Sequence, residues 1–93
     1  MNTRYYIDPG TDEPHIYGHG VNEREVDEVL GRPIEDRRGR EGSRVAIGQT
    51  RGGRFLRVVY VPDGRPGAVF VITAYQLGPN ALRGLRRRRK KKA

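Results

Sequence analysis

The stretch from Arg54 to Tyr75 constrains the fold of this chain more than any other. Two runs of eight residues, RFLRVVYV and AVFVITAY, are rich in β-branched and aromatic side chains, and the segment PDGRPG separates them. Such runs around a cluster of proline, aspartate and glycine are typical of a β-hairpin. Because these runs are the densest apolar stretch of the sequence, we expect the core to be built on this hairpin.

A third strand is expected directly before the hairpin. Residues 44–50, RVAIGQT, alternate in polarity with the period of a strand, and the RGGR segment that follows has the length of a hairpin turn. Residues 4–7 are expected to add a short N-terminal strand, and residues 34–43 a loop or an edge strand. On the second hairpin strand, simple alternation predicts two opposite faces, which are Phe70, Ile72 and Ala74 on one side and Val69, Val71, Thr73 and Tyr75 on the other.

The clearest helix signal begins at Asn22. This residue is a favourable N-cap, and Glu25 three positions later completes the pattern of a capping box. An apolar stripe follows, and Gly31 and Pro33 are expected to end the helix. A second, weaker helix is predicted to start at Asn80.

Together these elements predict an α+β protein. The expected architecture has an N-terminal strand and one or two short helices packed on a three- to four-stranded antiparallel sheet, with a basic C-terminal helix or tail. Residues 1–82 are expected to form this single domain, and residues 83–93 a mobile basic tail.

The composition indicates the cellular compartment and the kind of binding partner. The chain has no cysteine, and it has no apolar run near the roughly 20 residues that cross a bilayer, so we expect a cytoplasmic protein without a membrane segment. The net charge is +8, and eight positive charges lie in residues 83–92. The remaining body is neutral but polarised, because residues 1–36 are acidic and residues 37–67 are rich in arginine. A basic balance of this kind favours polyanionic partners. The body uses arginine and no lysine, which suits bidentate contacts with phosphate, although a preference for arginine codons would also produce it.

Arginines on or beside neighbouring strands are the candidate nucleic-acid contacts. Guanidinium groups that project from a sheet can hold phosphates, while Tyr60 or Tyr75 stacks on bases. The alternative is an ordinary solvated edge. The candidates for binding through charge are the body residues Arg51 and Arg54 and the tail residues Arg86, Arg87, Arg88, Arg89, Lys90, Lys91 and Lys92.

Two histidines, His15 and His19, are four residues apart. Ordinary packing or a polar cap is the default reading, and proton transfer near neutral pH is the functional alternative. Gly18 and the lack of a nearby third ligand argue against a metal site. No nucleotide-binding glycine loop is present, so no cofactor is expected.

Five segments between about residues 4 and 76 form a recognisable order. They are Tyr6-Ile7-Asp8-Pro9, Gly18-His19-Gly20-Val21, Glu41-Gly42-Ser43-Arg44, Leu56 to Val61, and Ile72-Thr73-Ala74-Tyr75. This order resembles the BrnT-like toxins, which are small RelE-like ribonucleases of type II toxin–antitoxin modules, or a neighbouring family of uncharacterised toxin-like domains. The lysine that precedes the BrnT-like histidine is Gly18 here, and the arginine that ends the last strand is Tyr75.

This resemblance implies a metal-independent RNA endonuclease that acts on free or ribosome-bound mRNA and is neutralised by a cognate antitoxin protein. In such chemistry the RNA 2′-hydroxyl attacks the adjacent phosphate, and guanidinium groups stabilise the charge that develops. The implied catalytic residues are Arg44 and Arg57 for the phosphate and His19 or Tyr75 for proton transfer. Tyr75 would need a cationic neighbour to give up its proton readily.

Two other classes of function stay open. One is a binding module that holds RNA or DNA through charge and cleaves nothing. The other is a protein-interaction domain whose basic tail only localises it.

Overall fold

The predicted hairpin is the centre of a five-stranded sheet in the computed structural model, which describes residues 2–92 and the side chains of residues 2–90. The strand order is β1-β7-β6-β5-β4, in which β1 is parallel to β7 and all other pairs are antiparallel. The strands are β1 Asn2–Tyr5, β2 Ile7–Asp8, β3 Glu13–Pro14, β4 Glu35–Arg38, β5 Arg44–Gln49, β6 Phe55–Pro62 and β7 Ala68–Gln76, with a 3-10 helix at His15–His19, α1 at Glu23–Gly31 and α2 at Pro79–Lys92.

The α+β class predicted from the sequence is confirmed. The sheet has five strands because both candidate edges join it: residues 35–38 form the outer strand β4, and β1 closes the other side beside β7. β2 and β3 form a separate two-stranded ribbon that leads into the 3-10 helix.

The capping box predicted for α1 is present. The Asn22 side chain accepts a hydrogen bond from the Glu25 N–H at 2.9 Å, and the Glu25 carboxylate accepts one from the Asn22 N–H at 3.2 Å. Val26 and Val29 are fully buried against β5 and β6. Val29 approaches Gly48 so closely that a Cβ at Gly48 would lie 3.1 Å from its Cγ1 atom, which explains a glycine in the middle of β5.

A β-bulge breaks the alternation predicted for β7. Val59 pairs with Thr73 but Tyr60 pairs with Val71, so Ile72 is an extra, unpaired residue. Val71 therefore faces α1, and Ile72 is 37% exposed. The predicted grouping of Phe70, Ile72 and Ala74 is wrong, because the pairings put Phe70 on the face opposite Ala74.

The face of the sheet opposite α1 is only partly covered, by α2. Leu77 and Leu85 from this region pack with Ile47 in a second apolar cluster, and Leu85 is fully buried. The boundary predicted after residue 82 therefore falls inside a helix that belongs to the domain. The mobility predicted for the basic residues beyond Arg88 stays a prediction.

A candidate phosphate-binding face

Arg57 lies on the second sheet face, which α2 covers only in part. It is directly opposite Ile47 on β5 and Tyr75 on β7, so the three side chains form one row across the sheet. The Arg57 side chain is half-buried, and its Nε atom is fully buried without a hydrogen-bond partner. Among the described residues, no carboxylate lies within 4.0 Å of the guanidinium.

This unpaired state separates Arg57 from an ordinary structural arginine. Leaving a buried donor without a partner costs about 1–3 kcal/mol, and buried polar groups in native structures are nearly always hydrogen-bonded. A carboxylate from the acidic residues 23–36 would be the ordinary structural partner of this arginine. That pairing is not found within the described part of the chain, so no described carboxylate neutralises the Arg57 guanidinium.

A line of rings leads away from Arg57. Its Cζ atom lies 6.0 Å from the centre of the Tyr75 ring, and Tyr75 meets His19 edge to face at 5.9 Å. His19 contacts His15 at 5.2 Å, and His15 contacts Tyr6 at 5.9 Å. We call these four rings the ring row. The Arg57 guanidinium is the cation that lies beside Tyr75.

Backbone geometry brings the ring row together from distant parts of the sequence. β1 pairs with β7 only as far as Val71. Residues 72–76 of β7 therefore have an edge that β1 does not cover. The 3-10 helix packs against β7 and turns away at Gly20, whose φ of 70° favours glycine. His19 thereby reaches Tyr75, although 56 positions separate them, and no periodicity in the sequence reports such a contact.

The rings of the row suit stacking and proton transfer. Tyr6 and His19 are exposed, and every nucleobase offers a π-face to such rings. His19 makes no side-chain hydrogen bond or ion pair with any described residue. His15 differs, because its Nδ1 atom lies 3.5 Å from an Asp8 carboxylate oxygen.

Arg44 has a different place from the one expected. It pairs with Tyr60 across the strands and therefore lies on the α1 face, opposite Arg57. Its Nε donates to Asp36 Oδ1 at 2.9 Å, and the Tyr60 hydroxyl donates to Asp36 Oδ2 at 2.6 Å. The hydrogen bonds to Asp36 and Tyr60 raise the pKa of Arg44, and burial followed by the bond to Asp36 raises the pKa of Tyr60. A nucleotide lying on one face cannot touch both Arg44 and Arg57.

Arg54 also has a structural partner. Its Nη1 atom donates to both Glu25 carboxylate oxygens, at 3.0 and 2.9 Å, and to the Gly20 carbonyl at 3.0 Å. These bonds tie the start of β6 to the start of α1. Arg51, by contrast, is 91% exposed and reaches Glu28 only at 3.9 Å.

The basic run forms the C-terminal half of α2. Arg88 makes two hydrogen bonds to Glu35, at 2.7 and 3.1 Å, and thereby fixes the helix against β4. The Lys91 and Lys92 side chains lie outside the described ones. The exposed basic side chains of the run are Arg86, Arg87, Arg89 and Lys90.

Other site types were sought in the same part of the chain. Within residues 2–90, no three His, Cys, Asp or Glu side chains are grouped so as to hold a metal ion. None of the described helices has the length and apolar character needed to cross a membrane.

Known proteins add no assignment, since no protein-family model, curated protein or solved structure matches this chain. The resemblance to BrnT-like toxins therefore stays a prediction.

Proposed function

We propose that this protein is a metal-independent RNA endonuclease of the toxin type, which acts in the cytoplasm and is neutralised by a partner antitoxin. The observation that carries the proposal is Arg57, a half-buried guanidinium with an unpaired, buried Nε on a sheet face that α2 covers only in part. A planar guanidinium can bind a phosphate such as that of RNA with two parallel hydrogen bonds.

The residues around Arg57 suit transfer of the RNA phosphate to its own ribose. The 2′-oxygen attacks phosphorus as an imidazole nitrogen of His19 takes its proton, while Arg57 stabilises the negative charge on the phosphorane oxygens. The bond to the 5′-oxygen breaks, and the Tyr75 hydroxyl donates a proton to that leaving oxygen. The products are a 2′,3′-cyclic phosphate and a 5′-hydroxyl, so atoms and charges balance without a metal.

The ring row is a surface along which an RNA strand could lie. Tyr75 lies beside Arg57, and His19, His15 and Tyr6 continue the line of rings outward. A single-stranded RNA can lay successive bases on such rings, with each stacked base contributing about 1–3 kcal/mol.

The test compares Arg57→Ala with Arg65→Ala. Both changes remove one arginine that has no ion pair among the described residues, but Arg65 lies in the exposed β6–β7 turn. We expect Arg57→Ala to abolish RNA cleavage and growth inhibition with little change in the unfolding curve, and Arg65→Ala to retain both. Arg57→Lys should rescue poorly because an ammonium lacks the bidentate fork. Full cleavage by a folded Arg57→Ala protein would contradict the assignment.

A second candidate function is a binding module that cleaves nothing. The observation in its favour is α2, where exposed basic side chains are carried on a helix that Leu85 and Arg88 dock onto the body. Such a surface binds polyanions without reading sequence. Wild-type protein that binds RNA but neither cleaves it nor slows growth would favour this function.

A further inference from the structure

A cleft lies at the end of the sheet, where β5 turns into β6. Its volume is about 710 Å³, and four separate segments contribute an arginine to it. These are Arg24 of α1, Arg32 in the segment that follows α1, Arg51 in the β5–β6 turn and Arg89 of α2. We call it the arginine cleft. Arg57 is not among the residues that line it.

Positive charge is in excess in the arginine cleft. The acidic side chains that line it are Asp27 and Glu28, against the four arginines. Glu28 is already engaged, since it accepts a hydrogen bond from the Arg51 backbone N–H at 3.0 Å. Over the described residues, Arg24, Arg32 and Arg89 have no carboxylate oxygen within 4.0 Å.

Some arginines outside the cleft are paired with carboxylates and have a structural role. Arg4 makes two hydrogen bonds to Asp63, and Arg54 makes two to Glu25. The three guanidiniums of the arginine cleft that have no such partner instead line one concave space. Like charges around a shared cavity favour an anion between them.

The position of Arg89 is itself set by a structural pair. Arg88 is bound to Glu35 at 2.7 and 3.1 Å, and Leu85 one turn earlier is fully buried. These contacts hold the last turns of α2 beside the segment after α1. The fold therefore carries part of the basic run to the arginine cleft.

We propose that the arginine cleft binds a ligand with two or more phosphate groups, at a site separate from Arg57. Guanidinium groups bind phosphate oxygens in pairs, and the cleft volume falls in the range of about 300–1,000 Å³ that small-molecule sites have. Two sources share this chemistry. One is a free oligophosphate, such as a nucleoside triphosphate, and the other is the successive phosphates of an RNA strand.

The experiment measures binding of inorganic triphosphate and of a short RNA to the full-length protein by calorimetry at low salt. The test variant carries Arg24→Gln and Arg32→Gln. The control carries Arg38→Gln and Arg65→Gln, which has the same net charge and changes two exposed arginines at the other end of the sheet. All four side chains lack ion pairs among the described residues, so we expect both variants to fold.

We expect the test variant to lose about tenfold or more in triphosphate affinity, as two charge-assisted hydrogen bonds require, and the control less than about threefold. Triphosphate binding that depends on the cleft identifies a free oligophosphate. If triphosphate does not bind, but RNA affinity and its salt dependence fall only in the test variant, the ligand is the RNA backbone. Equal losses in both variants, or none in either, would overturn the proposal. Arg57→Ala should leave triphosphate binding unchanged, which separates this site from the proposed cleavage site.

Discussion

Replacing Arg57 by methionine is expected to stabilise the protein. Methionine keeps a flexible apolar stem of similar length and removes the Nε atom that is buried without a partner. Relief of that unsatisfied donor is worth about 1–3 kcal/mol, and loss of the contact with the Tyr75 ring costs about 0.5–1 kcal/mol. The net gain in the free energy of unfolding is about 1 kcal/mol, which raises Tm by about 4–8 °C in a domain of this size.

The matched control is Arg54→Met. Arg54 lies three residues earlier, but its guanidinium is bonded to Glu25, whose side chain is only 17% exposed. Removing it leaves a carboxylate without its partner, so we expect a loss of about 1–2 kcal/mol, discounted for partial exposure. Urea and thermal unfolding of the wild type, Arg57→Met and Arg54→Met measure both changes in the free energy of unfolding. If Arg57→Met destabilised the protein as much as Arg54→Met, Arg57 would be a structural residue, and the argument that it waits for a ligand would fail.

Two further predictions concern stability. Asn22→Ala should lower the free energy of unfolding by about 0.5–2 kcal/mol because it removes half of the capping box, while Asn22→Ser should cost less; equal urea midpoints for all three proteins would contradict this. Burial, followed by the charges of Asp27 and Glu23, raises the pKa of Tyr5. Since an unfolded tyrosine ionises near 10, the unfolded state loses its proton first, and stability should fall as pH rises above about 10 and towards the higher folded-state pKa. Tyr5→Phe should flatten that fall in unfolding measured between pH 9 and 11, and an unchanged slope would refute it.

Local signals in the sequence predicted the parts of the fold that local physics decides. The turn cluster at residues 62–67 and the capping residues Asn22 and Glu25 have their expected roles, because each depends on neighbours within a few positions. The bulge at Ile72 was missed, since an unbroken apolar run looks the same with or without an extra residue. That one residue decides which side chains of β7 share a face with Arg57.

The candidate site was harder to predict because it depends on contacts between distant segments. Sequence alone named Arg57, His19 and Tyr75, and the structure brings them together. It also named Arg44 for the same site, but strand parity puts Arg44 on the other face with Asp36 as its partner. An arginine bound to a carboxylate and one that is unpaired look alike in a sequence, because the partner comes from another strand.

The most direct test of the account is the chemistry of the RNA ends that the wild-type protein leaves. Purified protein is incubated with single-stranded RNA in excess EDTA, and the termini of any fragments are determined. We predict cleavage that EDTA does not inhibit, with 2′,3′-cyclic phosphate and 5′-hydroxyl ends, and no cleavage by Arg57→Met. Intact RNA under these conditions, or fragments with 5′-phosphate and 3′-hydroxyl ends, would contradict the proposed chemistry at Arg57.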